Sequence, residues 1–199
     1  MDAPFLYVCR MDEYTDAMYE KHFASLPVWR REKVEKIKNR EKQKQSTLAF
    51  MLLRYALKNT LHTEDFTFSY NSYGKPYIAE CGMFFSISHC SKAVAVGVSA
   101  SEIGVDAECI LETPRRAGER VFSDAEQKNI AKEAEPGTAF TRLWTEKEAY
   151  AKFCGRGILS LNGFEEKVRF SYWQFPDFYV TACTKNETVA LCEIMPDKI

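Results

Sequence analysis

Apolar and polar positions change period several times along the chain, and each change predicts an element. Phe5-Leu6-Tyr7-Val8 is a short apolar run that predicts a first strand. From Pro27 to about Leu57 the pattern is helical. Its first part is strongly charged. Its second, Ser46 to Leu57, is apolar almost all round and predicts a buried helix. Gln45-Ser46, where the character switches, marks the boundary between two helices. Phe66 to Tyr70 alternates as a strand does, and Asn71-Ser72-Tyr73-Gly74-Lys75-Pro76 is a turn by composition. Phe84–Ser88, Ala93–Val98 and Ile103–Glu108 read as strands, the last two linked by a turn at Ala100-Ser101-Glu102. Segment 112–117, with Pro114 and two arginines, is a crossover between halves. Ser123-Asp124-Ala125-Glu126 matches a capping box and starts a helix that Glu135-Pro136-Gly137 breaks. Phe140, Leu143, Trp144, Ala151 and Cys154 keep helical spacing, so a second helix runs from about Thr138 to Phe153 and ends at Gly155 and Gly157. Phe170–Thr181 and Val189–Ile194 are late strands. The mixture defines an α+β chain.

The chain has 199 residues, enough for one ordinary domain or two small lobes sharing a core. Lys+Arg total 27 against 28 Asp+Glu, so the global basic excess of a duplex nucleic-acid binder is missing. No apolar run reaches the length that spans a bilayer. The first residues show no basic-then-apolar leader pattern, and the expected location is cytoplasmic. Seven cysteines, none in C-x-x-C spacing, and three histidines give a zinc site little to work with. Reduced, partly buried thiols are the expectation.

The chemistry concentrates in acids. Asp106 and Glu108 sit two apart in a strand, so both side chains share one face. Adjacent carboxylates repel unless a cation or hydrogen bonds intervene, and a hard divalent ion prefers oxygen ligands. Their plainer reading is a pair of strand-end surface acids. Trp144, Glu148 and Lys152 are spaced by four and line one helical stripe. Thr145 with Glu148 also matches a capping box, and Glu148 with Lys152 an ordinary helix ion pair.

Three stretches in order, Phe85-Ser86-Ile87-Ser88-His89-Cys90, Ile103-Gly104-Val105-Asp106-Ala107-Glu108 and Phe140 through Ile158, resemble the surfactin-type 4′-phosphopantetheinyl transferases, in the Trp-x-x-Lys-Glu-Ala subgroup. Tyr73-Gly74-Lys75-Pro76 resembles the Gly-Lys-Pro turn of that family. The resemblance implies two similar α/β lobes related by pseudo-twofold symmetry, divided here at 1–108 and 109–199, with coenzyme A in the cleft between them. It implies that Asp106, Glu108 and Glu148 hold Mg²⁺, with Mn²⁺ as a substitute. Ala107 offers no ligand, so water takes its place. It further implies that Glu148 acts as base and Lys152 neutralises phosphate charge. A serine of an acyl or peptidyl carrier protein would then attack the β-phosphate of coenzyme A, releasing 3′,5′-ADP.

Coenzyme A would also meet Ser88 and His89 at its phosphates, Tyr73 and Lys75 at the nucleotide, and Arg30, Lys33, Gln45 and Ser46 at the 3′-phosphate. The family form implies a monomer with neither nucleic acid nor membrane as partner. Between Arg30 and Lys44 there are eight basic residues and three acids, a surface that suits an acidic carrier protein as well as it suits plain solvation. Phe153 and Ile158 flank the glycine loop, where core packing is the first expectation and carrier contact the second. Two residues depart from the family pattern. Ser86 stands where Asn is frequent, and Cys90 stands where a hydroxyl usually follows His89, which removes a good donor from the phosphate site. The rival readings are another Mg²⁺-dependent phosphoryl-transfer or hydrolytic enzyme, without a G-x-x-x-x-G-K-[ST] loop to support it, and a binding module that recognises carrier proteins without reacting.

Overall fold

In the computed structural model, residues 3–61, 66–112, 116–161 and 163–199 are described. The chain is α+β, in four layers. Strand β1 (Phe5–Arg10) leads through helices α1 (Asp16–Ser25), α2 (Val28–Glu35) and α3 (Arg40–Leu61) to β2 (Ser69–Tyr70), β3 (Pro76–Ile78), β4 (Met83–His89) and β5 (Ala93–Ser99). Then come β6 (Ile103–Cys109), α4 (Asp124–Ile130), α5 (Pro136–Cys154), β7 (Arg169–Gln174), β8 (Phe178–Thr184) and β9 (Ala190–Glu193). One sheet has the order β2-β3-β4-β5-β1-β9 and the other β6-β8-β7.

The apolar side of α3, with Leu48, Leu52, Leu53, Ala56 and Leu57, packs on Tyr7, Cys9, Val94, Val96 and Val98 of the larger sheet. The opposite face of that sheet, with Leu6, Val8, Ala93 and Ala95, meets Ile103, Val105, Ala107, Phe178, Val180 and Ala182 of the smaller one. Helix α5 covers the remaining face of the smaller sheet, where Ala149, Tyr150 and Phe153 meet Cys183. Strand β8 is therefore buried on both faces, which explains its lack of alternation.

Several expectations are corrected. The helix break falls at residues 36–39, not at Gln45-Ser46, and the side chain of Asn39 accepts from the backbone N–H of Lys42 to open α3. Helix α1, capped by Thr15, had no reading in the sequence. Residues 66–68 are not strand, and Phe66 and Phe68 instead pack at tilted ring angles into an aromatic group with Phe50 and Phe85. Strands β5 and β6, linked as expected, belong to different sheets. Pro136 is at the first turn of α5 rather than in a break, as its fixed φ allows. The segment read as one late strand is the hairpin β7–β8. The capping box at Ser123 is formed in full, with Glu126 returning a bond to the cap backbone. Of the crossover segment, residues 113–115 lie outside the described residues. At the division read between 108 and 109, β6 pairs with β8 while the C-terminal β9 pairs with β1, so the two sheets exchange strands across it.

Two glycines let the layers approach. A Cβ on Gly97 would lie 2.6 Å from Cγ2 of Val105, across the sheet–sheet interface. A Cβ on Gly104 would lie 1.9 Å from the Ala149 carbonyl oxygen and 2.4 Å from the Phe153 nitrogen. No larger residue fits there without moving α5.

Candidate active site

Three elements from three layers converge: the C-terminal end of β4, the middle of β6 and the fourth and fifth turns of α5. Asp106 is the centre. It is 4% exposed. Ser88 donates to its Oδ1 over 2.8 Å, and the Lys152 ammonium lies 2.7 Å from the same oxygen and 2.9 Å from Ser88 Oγ. Its other oxygen, Oδ2, is buried without a hydrogen-bond partner. A buried carboxylate oxygen left unpaired is costly and marks a site where a further group belongs.

Glu148 is half-buried one turn before Lys152. Its pKa is raised, first by desolvation and then by the charge of Asp106, while Lys152 opposes the rise. Thr145 is interior to α5 and fully buried, with its hydroxyl donating to the Arg142 carbonyl, so the capping reading of Thr145–Glu148 is set aside. Glu108 follows on the same face of β6, half-buried. Among the described residues, no three His, Cys, Asp or Glu side chains stand close enough together to hold a metal ion. Asp106 and Glu148 feel each other's charge, and Lys152 occupies the space beside Asp106.

His89 continues β4 beyond Ser88. It is exposed at its edge, yet the protein around the ring lowers its pKa by desolvation, and the charges of Lys152 and Lys42 lower it further. At neutral pH it is a neutral imidazole among cations. Lys42, an exposed residue of α3 that the sequence reading did not single out, is near enough for its charge to act on His89. Its signal was present: it precedes Gln45 by one helical turn.

The other expected coenzyme A contacts fall in two groups. Lys75 is committed to the protein: its ammonium pairs with Glu102 and donates to the carbonyls of Ile103, at 3.0 Å, and Phe153, at 3.1 Å. Burial lowers its pKa, and Glu102 resists that. Without a ligand Lys75 clamps the turn to β6 and α5, with three acceptors on its three donors. That turn, with Tyr73 exposed and Arg156 over its ring, lines a cavity of about 340 Å³ together with Phe85, Ser86 and Lys152.

In the second group, Arg30 donates to Ser46 Oγ and to the Ser46 carbonyl, both at 2.8 Å. Its Nε is buried without a partner, and desolvation lowers its pKa. Gln45 donates to the Cys90 carbonyl over 3.0 Å, tying α3 to the end of β4. Lys33 is exposed over the Trp29 ring. The basic run is partly neutralised, with Lys44 at 3.4 Å from Asp16 and Arg40 paired with Glu20.

The Ser86 departure has a structural use: its hydroxyl accepts from the Val105 N–H over 2.9 Å, satisfying the free edge of β6. Phe153 is core, and Ile158 is half-buried. All seven cysteines are free thiols, with Cys9, Cys90 and Cys183 buried and Cys81 exposed. Burial pushes the Cys90 thiol up to about 12, which leaves it an inert thiol. Among the described residues, no helix is long and apolar enough to cross a membrane.

Fold and site together define an α/β/β/α protein with an acid–lysine cleft bridging its two sheets. Residues 102–193 match the family model of the 4′-phosphopantetheinyl transferase superfamily. The chain is similar to the 4′-phosphopantetheinyl transferase gsp of Aneurinibacillus migulanus, 32% identical over 60% of this chain and 52% of that protein. It is similar to the 4′-phosphopantetheinyl transferase psf-1 of Bacillus pumilus, 32% identical over 58% of this chain and 52% of that protein. The putative 4′-phosphopantetheinyl transferase slr0495 of Synechocystis is 27% identical over 79% of this chain and 67% of that protein. The stretch that matches the family model carries Asp106, Glu108, Glu148 and Lys152. The chain spans about half the length of the first two of these relatives.

Proposed function

We propose that the protein transfers the 4′-phosphopantetheine group of coenzyme A to a serine of an acyl or peptidyl carrier protein, giving holo carrier protein and 3′,5′-ADP. The observation that carries this reading is Asp106: a buried carboxylate with Lys152 and Ser88 on one oxygen, nothing on the other, and Glu148 nearby. The unpaired Oδ2 of Asp106 suits a hard divalent cation as an anionic oxygen donor, and the ion itself would draw in the neighbouring acids. Asp106, Glu108 and Glu148 would hold Mg²⁺, which when bound neutralises and orients a diphosphate.

The protein's own groups then have separable tasks. Lys152 offsets charge on the phosphate oxygens as the bond to the leaving 3′,5′-ADP lengthens. Glu148, its basicity raised by burial, accepts the proton of the incoming serine hydroxyl. The serine oxygen bonds to the β-phosphorus as the diphosphate bridge breaks. His89 and Lys42 meet coenzyme A phosphate, with His89 neutral and able to donate. Arg30, its Nε without a partner, meets the 3′-phosphate with Ser46, Gln45 and Lys33 around it. Tyr73 borders the cavity beside Lys152, which would take the nucleotide end.

The test is incubation with an apo carrier protein, coenzyme A and Mg²⁺, followed by intact-mass analysis. A carrier that gains one phosphopantetheine supports the reading. Coenzyme A hydrolysis with an unmodified carrier would make the protein a hydrolase, and tight carrier binding without reaction would make it a recognition module.

A further inference from the structure

Helix α5 brings Glu148 and Lys152 to Asp106, yet most of its seat on the smaller sheet is smooth. Ala149 rests on Gly104, and Phe153 and Tyr150 pack against Cys183. Apolar contact of this kind resists separation but is not directional, so it does not by itself fix how far along the strands the helix sits. Among the polar contacts from α5 to this sheet, Lys152–Asp106 belongs to the reacting groups, while Tyr172–Glu146 and the Arg142 guanidinium over the Tyr172 ring are exposed. Thr145 and Thr181 differ from these. Their hydroxyls are 2.7 Å apart, and each residue is 0% exposed.

The protons of this pair can be assigned. The Thr145 hydroxyl donates to the Arg142 carbonyl over 2.9 Å. Its remaining capacity is as an acceptor, so Thr181 donates to it. Thr181 is directly paired with Asp106 across the β6–β8 ladder, and paired residues point to the same face. The anchor on the sheet is thus one strand spacing, about 4.8 Å, from the central acid. On the helix, Thr145 precedes Glu148 by three residues, an axial rise of about 4.5 Å.

We infer that Thr145 and Thr181 are positioning residues for the transfer: their buried hydroxyl contact fixes α5 along β8 and so sets Glu148 and Lys152 over Asp106. This rests on the transferase reading of the site. Neither hydroxyl reaches the reacting atoms, because each is used by the other and by the Arg142 carbonyl.

The experiment uses Thr145→Val, Thr181→Val, the double variant and Thr145→Ser in the full chain, assayed well below each variant's thermal midpoint. Valine keeps the volume and removes the hydroxyl. The expected result is a kcat lower by about tenfold to a hundredfold in the valine variants. KM for coenzyme A and for the carrier should stay within about threefold, and Thr145→Ser should recover most of the rate. The double variant removes both partners together and leaves no orphaned hydroxyl, so its thermal midpoint returns toward the parent's while its kcat stays low. A double variant with parental kcat would overturn the inference, as would rate losses that follow thermal stability across the set. Crystal structures of the parent and the double variant decide the point independently of activity. Displacement of α5 along β8, with Glu148 carried away from Asp106, is expected, and an unmoved α5 contradicts the inference. A parent protein without transfer activity would instead refute the transferase reading, leaving the crystallographic comparison to judge the positioning role.

Discussion

Gly104→Ala separates the placement of the reacting groups from the stability of the fold. The added Cβ would stand 1.9 Å from the Ala149 carbonyl oxygen, 2.4 Å from the Phe153 nitrogen and 2.9 Å from the Phe153 Cα, and ordinary contact begins at 3.4 Å. All three are backbone atoms of α5, so no side-chain rotation relieves the clash. The helix must withdraw from β6 by about 1.5 Å, the difference between 3.4 and 1.9 Å. The Lys152–Asp106 contact, now 2.7 Å, would open beyond hydrogen-bonding distance. Overpacking of this sort costs about 1–3 kcal/mol of stability, and misplacing reacting groups by about 1 Å costs on the order of a hundredfold in rate. Gly97→Ala is the control: its Cβ meets only side-chain atoms, Val105 Cγ2 at 2.6 Å and Ile103 Cδ1 at 2.8 Å, and α5 is not among them. Denaturant unfolding and steady-state transfer kinetics should show both variants destabilised but only Gly104→Ala slowed by about a hundredfold. A Gly104→Ala protein with parental kcat would refute the argument that close approach of α5 to β6 assembles the site.

Glu148→Gln should stabilise the metal-free protein at neutral pH. A carboxyl whose folded pKa lies above its unfolded value binds more protons when folded, so its charge weakens the fold as pH rises through that range, by about 1.4 kcal/mol for each tenfold gain in proton affinity on folding. Thermal melts in a chelator should show the gain at pH 7 and its loss below the unfolded glutamate pKa near 4.5, while an equal gain at every pH would contradict the cause given. Lys75→Met should lower stability by about 2 kcal/mol by orphaning the Ile103 and Phe153 carbonyls, with coenzyme A affinity nearly kept. A fully stable variant that has lost coenzyme A affinity would place the ammonium on the ligand instead. Lys152→Met should destabilise the fold by about 1–3 kcal/mol, because Asp106 is left buried beside Ser88 without its cation. A parental melting curve for that variant would show that the pair is not formed in solution.

The central acid and its lysine were legible because each lies in a segment with strong local periodicity: Asp106 in an alternating strand and Lys152 on a four-residue stripe. Their meeting rested on resemblance, since no local pattern says which strand a helix covers. The break at 36–39 was misread because the shift from charged to apolar residues at Gln45-Ser46 records where α3 enters the core, not where its backbone begins. Lys75 gave an exposed-turn signal, and only the fold shows that Glu102, the start of β6 and the end of α5 gather around it. Thr181 gave no signal, because a strand buried on both faces has no alternation and a threonine in it looks like any other β-branched residue. Helix α1 was missed because it is short and buries only Tyr19 and His22 fully.

The transfer reaction itself is tested most directly by measuring 3′,5′-ADP release and carrier mass together, with and without apo carrier protein, for the parent and for Asp106→Ala. The account predicts one 3′,5′-ADP per phosphopantetheine gained by the carrier, release that requires the carrier's serine, and loss of both in Asp106→Ala with the fold retained. Release of 3′,5′-ADP at the same rate without carrier, or parental transfer by Asp106→Ala, would contradict it.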